Sequence, residues 1–120
     1  MPERTSPRIL ELLAAATRYH RGGRLADAQQ VYGQILQADP HHADALHLLG
    51  VLALQSGRPD TATTLISKAI VENAQVPAFH SNLGNALKAQ GRFDDADDSY
   101  RRAFALSPGY LEAHYNRALL

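Results

Sequence analysis

The stretch Pro77 to Tyr110, PAFHSNLGNALKAQGRFDDADDSYRRAFALSPGY, decides the fold, because its glycines, alanines and aromatics recur at a fixed interval upstream. Gly91 is preceded by Gly57 and Gly23 at steps of 34 residues, and each is followed by an arginine: Arg24, Arg58 and Arg92. Ala28, Ala62 and Ala96 keep the same interval, as do Tyr32, Ile66 and Tyr100, and Ile35, Ala69 and Ala103. Leu83-Gly84 echoes Leu49-Gly50, while Pro40 and Pro108 stand two periods apart with Ala74 between them. A fixed period makes each residue part of a repeating unit, so it is read before any local feature.

A 34-residue period carrying a Leu-Gly pair, a later Ala, an aromatic and a closing Pro resembles the tetratricopeptide repeat (TPR) family. The resemblance implies an all-α, right-handed superhelical solenoid of antiparallel helix pairs. Three units fall at about 9–42, 43–76 and 77–110, and 111–120 begins a fourth, all within one domain over 1–120. The first copy departs most, with Ala15-Ala16 in place of Leu-Gly, which still supplies a small residue where two helices approach.

The residues predict helices independently. Ser6-Pro7 joins a capping side chain to a ring suited to the first helical turn. Ile9, Leu12, Leu13, Ala16 and Tyr19 form one apolar stripe, ended by Gly22-Gly23. Leu25, Ala28, Val31, Tyr32, Ile35 and Leu36 carry the next helix, and Asp39-Pro40 stops it. Helices are expected at about 43–56 and 59–72 around Ser56-Gly57-Arg58, and Pro77 and Phe93 open the fifth and sixth. No single pair buries enough apolar surface to offset about 1–2 kcal/mol of backbone entropy per residue, so stability must come from stacked neighbours.

Twelve Lys and Arg balance twelve Asp and Glu, which leaves no basic field for nucleic acid. The chain has no Cys, hence no disulfide, thiolate metal site or Cys nucleophile. The apolar run Ile9 to Ala16 is interrupted by Glu11 and is too short and polar for a signal or membrane segment, so a cytoplasmic protein without membrane partner is expected. No nucleophile motif, phosphate loop or zinc-helix motif occurs, and neither catalysis nor a cofactor is expected.

Stacked helix pairs curve into a groove lined by the first helix of each pair. The register places Leu13, Ala14, Thr17 and His20 there from the first copy, and His47, Leu48, Val51 and Gln55 from the second. The third contributes Ser81, Asn82, Asn85 and Lys88, and the partial fourth Tyr115 and Asn116. The groove runs from apolar to amide-rich, which suits an extended peptide. Asn82 and Asn116 match the places where groove asparagines of the O-linked N-acetylglucosamine transferase superhelix grip a peptide backbone, and that resemblance implies the same use here. Ala14 and Leu48 hold those places in the earlier copies. The Lys, Arg and Asn pattern with which some TPR domains clamp a C-terminal carboxylate is absent: Leu13, Thr17 and Leu48 stand where the first register needs it, and His47, Val51 and Glu112 where the second does.

His41, His42 and His47 invite a metal, but their spacing misses one helical face and no shell completes it. His80 and His114, one period apart, are expected to pack between helices, and His20 to face solvent. Asp94, Asp95, Asp97 and Asp98 suit the positive end of a helix, with surface pairs expected from Asp97 to Arg101 and from Asp98 to Arg102. Two functions follow: an adaptor binding a protein or peptide ligand in its groove, or the substrate-recruiting segment of a larger peptide glycosyltransferase whose catalysis lies elsewhere. Ala118-Leu119-Leu120, inside the first helix of a fourth pair, leaves an apolar surface, so a homo-oligomer formed through that helix is also expected.

Overall fold

The computed structural model describes residues 6–120; residues 1–5, part of the expected domain, lie outside the described residues. The described chain forms α1 (Pro7–Arg21), α2 (Leu25–Ala38), α3 (Ala43–Gln55), α4 (Pro59–Glu72), α5 (Pro77–Ala89), α6 (Phe93–Leu106) and α7 (Leu111–Ala118), with no strand among the described residues. The helices pair as α1 with α2, α3 with α4 and α5 with α6, and α7 lies against α6. This is the expected solenoid of helix pairs.

Each start and stop has a local cause. Ser6 Oγ accepts the Ile9 amide at 3.1 Å, ahead of Pro7 in the first turn. Between paired helices, Gly23, Gly57 and Gly91 adopt φ of 77°, 79° and 77°, a left-handed conformation that a Cβ disfavours. There the Arg24, Arg58 and Arg92 amides reach back to the carbonyls of Tyr19, Ala53 and Leu87 at 2.9, 2.8 and 2.9 Å. This closure satisfies carbonyls that the helix end would leave open. It explains why glycine recurs at that step of the period.

Packing depends on a contact repeated between partners. At Gly84 a Cβ would stand 2.5 to 2.8 Å from ring atoms of Tyr100; at Gly50 it would stand 2.6 Å from Ile66 Cγ1. In the first pair Ala16 holds this place, and both it and Tyr32 are fully buried. Ala28, Tyr32 and Ile35 of α2 share a cluster with Ala45 and Leu52 of α3, so apolar contact passes from one pair to the next. Phe79 of α5, Leu46 of α3 and Ala69 of α4 repeat this one step on.

The turn histidines are structural. His42 Nδ1 caps α3 by accepting the Ala45 amide at 3.1 Å, and His41 pairs with Glu72 at 2.9 Å. His80 and His114 Nε2 lie 2.9 and 2.8 Å from the carbonyls of Ala74 and Pro108. His80 is buried, whereas the more exposed His114 stacks on Phe104 at 3.9 Å. Asp97 pairs with Arg101 at 2.9 Å and also with Arg117 of α7 at 2.5 Å. Among the described residues Asp98 and Arg102 form no ion pair, contrary to expectation.

Replacing Gly84 with Leu drives a side chain into the Tyr100 ring, and overpacking of this kind costs about 1–3 kcal/mol. Thermal unfolding is therefore expected to move down by several degrees, on the scale of roughly 4 °C per kcal/mol for a chain between the small and mid-sized domains. An unchanged midpoint would show that the contact does not bear on stability.

Candidate functional site

Helix α5 touches α3 and α7 directly, whereas the second helices meet chiefly their neighbours in the chain. The first helices therefore follow the shorter, inner arc, and their outward side chains line a concave face. Leu13, Thr17, Leu48, Val51, Asn82, Asn85, Lys88 and Asn116 are partly exposed. Leu13 and Leu48 also pack on the first apolar cluster. Tyr115 is 67% exposed, while His47 is almost wholly buried. Ser81 is fully buried and offers no groove surface.

Three of these residues are joined. Tyr100 donates its hydroxyl hydrogen to Asn85 Oδ1 at 2.6 Å, and Asn85 Nδ2 donates to Asn82 Oδ1 at 3.2 Å. Asn82 Nδ2 lies 2.8 Å from His47 Nε2. An amide nitrogen only donates, so Nε2 accepts and the ring proton sits on Nδ1. The ring of His47 lies on Phe79, with centroids 4.6 Å apart. Burial pushes the His47 imidazole down to about 4, with the nearby Asp44 carboxylate acting weakly the other way. Burial also pushes the Tyr100 phenol up to about 12, so it remains a hydrogen-bond donor at neutral pH.

The first pair has its own polar link. Tyr32 Oη lies 3.2 Å from His20 Nδ1, and His20 Nε2 lies 2.6 Å from Gln55 Oε1. The glutamine oxygen only accepts, so His20 carries its proton on Nε2, the opposite tautomer to His47. His20 is thus a bridge from α1 to α3, where exposure to solvent was expected. The sequence marks Tyr100 only as a periodic position, and its hydroxyl, the end of this chain of hydrogen bonds, is not among the site residues expected from it. The choice of Tyr at both 32 and 100 carries that signal, since a buried tyrosine needs a partner that phenylalanine does not.

Among the described residues no group of three or more His, Asp or Glu could hold a metal ion, and no helix is long and apolar enough to cross a membrane.

The tetratricopeptide repeat family pattern matches residues 19–86, and a second TPR repeat pattern matches 84–120. The chain belongs to the tetratricopeptide repeat family. It is similar to the UDP-N-acetylglucosamine–peptide N-acetylglucosaminyltransferase of Caenorhabditis elegans, 33% identical over 92 residues that make up 77% of this TPR chain and 8% of the relative. Among solved structures, a K341M mutant of the Thermobaculum terrenum O-GlcNAc transferase superposes with a TM-score of 0.93 at 32% identity, covering 99% of this chain and 23% of that one. The Yersinia enterocolitica type III secretion chaperone SycD, in complex with a peptide of the translocator YopD, shares the fold with a TM-score of 0.87 at 18% identity, over 98% of this chain and 95% of that one. The TPR chain spans about a tenth or less of the length of the curated relatives it matches.

Because the imidazole of His47 is depressed in the folded TPR stack, its neutral form is favoured by folding. Its contribution is fully present above the unfolded value near 6.5 and is lost as pH falls from there toward about 4. Denaturant titrations across this window are expected to show an acid-side loss of up to about 3 kcal/mol from this group. The loss should be smaller in His47→Gln, and an identical pH dependence in both proteins would contradict the assignment.

Proposed function

We propose that this chain is a protein-interaction module that holds an extended peptide, or an extended segment of a partner protein, along the concave face of α1, α3, α5 and α7. Residues 1–120 then act as one domain with units at about 9–42, 43–76 and 77–110 and the start of a fourth. The observation that carries this reading is the composition of the inner face, where partly exposed Leu13, Leu48 and Val51 lead into the amides of Asn82, Asn85 and Asn116. Apolar side chains of a ligand meet the first part, and its main-chain N–H and C=O groups meet the second. Thr17, Lys88 and Tyr115 border that path, and His47 lies beneath it.

A second reading is favoured by the likeness to the two glycosyltransferases: this segment recruits peptide substrates for a larger enzyme, with catalysis outside these residues. The recognition surface is the same in both readings.

The deciding experiment is a peptide array probed with the parent, with Asn82→Ala/Asn116→Ala and with Leu48→Asp, after each variant is shown to be folded. Extended peptides are expected to bind the parent and to bind both variants more weakly. Binding unaffected by either change, or none by the folded parent, would move recognition away from the groove.

Helix α7 adds a route to self-association. Leu111 and Tyr115 of α7 and Leu119 at its C-terminal cap follow one another at steps of four residues and are 78%, 67% and 57% exposed, a stripe suited to a second copy. Sedimentation from micromolar to near-millimolar concentration should show mass rising with concentration in the parent and not in Leu111→Glu/Tyr115→Glu. A constant monomer mass in the parent would refute it.

A further inference from the structure

Asn82 and Asn116 occupy the same place in successive copies, yet only one of them is held. A side-chain amide has two N–H donors and an oxygen that can accept twice. Asn82 directs one N–H at His47 Nε2 and receives the Asn85 amide on its oxygen. One donor and one acceptor site remain, on a partly exposed side chain. That remainder is the complement of a peptide unit's C=O and N–H.

The register explains why Asn116 differs. One period after His47 stands Ser81, and one period after Asn85 stands Leu119. The shorter serine makes no equivalent link: Ser81 Oγ is buried without a hydrogen-bond partner, and no side chain among the described residues holds the partly exposed Asn116 side-chain amide. The far end of the Asn82 chain is equally specific, because Tyr100 both lies on Gly84 and donates to Asn85. The near end is fixed because His47 is wedged on Phe79 and nearly buried.

We propose that His47 is a positioning residue, whose Nε2 acts with Asn85 to preset the Asn82 side chain, making Asn82 rather than Asn116 the principal main-chain anchor of the groove. This rests on the groove reading above. An anchor fixed before binding loses less rotamer freedom when the ligand arrives, an advantage of roughly 2- to 10-fold in affinity.

The test is NMR on the whole 120-residue chain without ligand, following exchange with water of the Asn82 and Asn116 side-chain amide protons. Asn82 should exchange more slowly than Asn116, with the His47 proton on Nδ1. His47→Leu should abolish the protection of Asn82, and His47→Gln, whose amide oxygen can accept the same bond, should restore it. Should His47→Leu fail to fold, Tyr100→Phe cuts the chain at its other end and is expected to weaken the protection. Equal exchange at both asparagines in the parent, a proton on Nε2, or His47→Gln behaving like His47→Leu would overturn the proposal.

A second arm titrates array peptides that the parent binds. His47→Leu should weaken them by roughly 2- to 10-fold with His47→Gln close to the parent, and Asn82→Ala should cost more than Asn116→Ala. The reverse order would overturn the anchoring role. Absence of any binding by the parent would overturn the groove reading and the anchoring role with it, while the exchange rates would still decide whether Asn82 is preset.

Discussion

The approach of α6 onto α5, close enough for the Tyr100 ring to lie on the bare Cα of Gly84, is the contact on which the rest of the stack depends. It brings the two helix backbones together, and it does so by excluding a single carbon atom. The same step is taken by Gly50 with Ile66, and by Ala16 opposite Tyr32 with a methyl group in place of the hydrogen. Because each second helix also packs on the first helix of the next unit, the contact does more than close a pair. It sets where the next inner helix lies, and therefore the groove.

Tyr100 connects these two roles in one side chain. Its ring fills the space that glycine leaves, and its hydroxyl emerges beside Asn85. From there the chain of hydrogen bonds runs through Asn82 to His47, crossing from α5 to α3. A polar network reaching between repeats is high in consequence, since every member is satisfied only while the helices keep their spacing. Ile66 fills the equivalent space in the second pair without a polar end, and the partly exposed residues of α3 beside it are Leu48 and Val51. From the second pair to the third, the change from apolar to amide-rich surface is thus matched by the change from Ile66 to Tyr100, whereas Tyr32 in the first pair turns its hydroxyl to His20.

Much of this was legible in the sequence. The period located every helix pair, because glycine at positive φ, proline at a helix start and a small residue at a close contact each leave a single-residue signature. Groove residues were legible only as positions. Register placed Asn82 and Asn116 as equals, and it takes three dimensions to see that Ser81 falls short where His47 reaches. His20 was expected to face solvent for a related reason: its partners, Tyr32 and Gln55, come from two other helices, and the 35 residues from His20 to Gln55, the same span as from His47 to Asn82, join residue types that the repeat does not keep. Periodicity reports what every copy has in common, whereas these links exist because the copies differ.

The most direct test of the account is a crystal structure of this protein with a peptide selected by binding. The account predicts an extended peptide on the inner face of α3, α5 and α7, its main chain hydrogen-bonded to Asn82, with the bonds from Tyr100 through Asn85 and Asn82 to His47 intact. A peptide seated on the outer helices, or one that reaches Asn82 only after that side chain has turned away from His47, would contradict it.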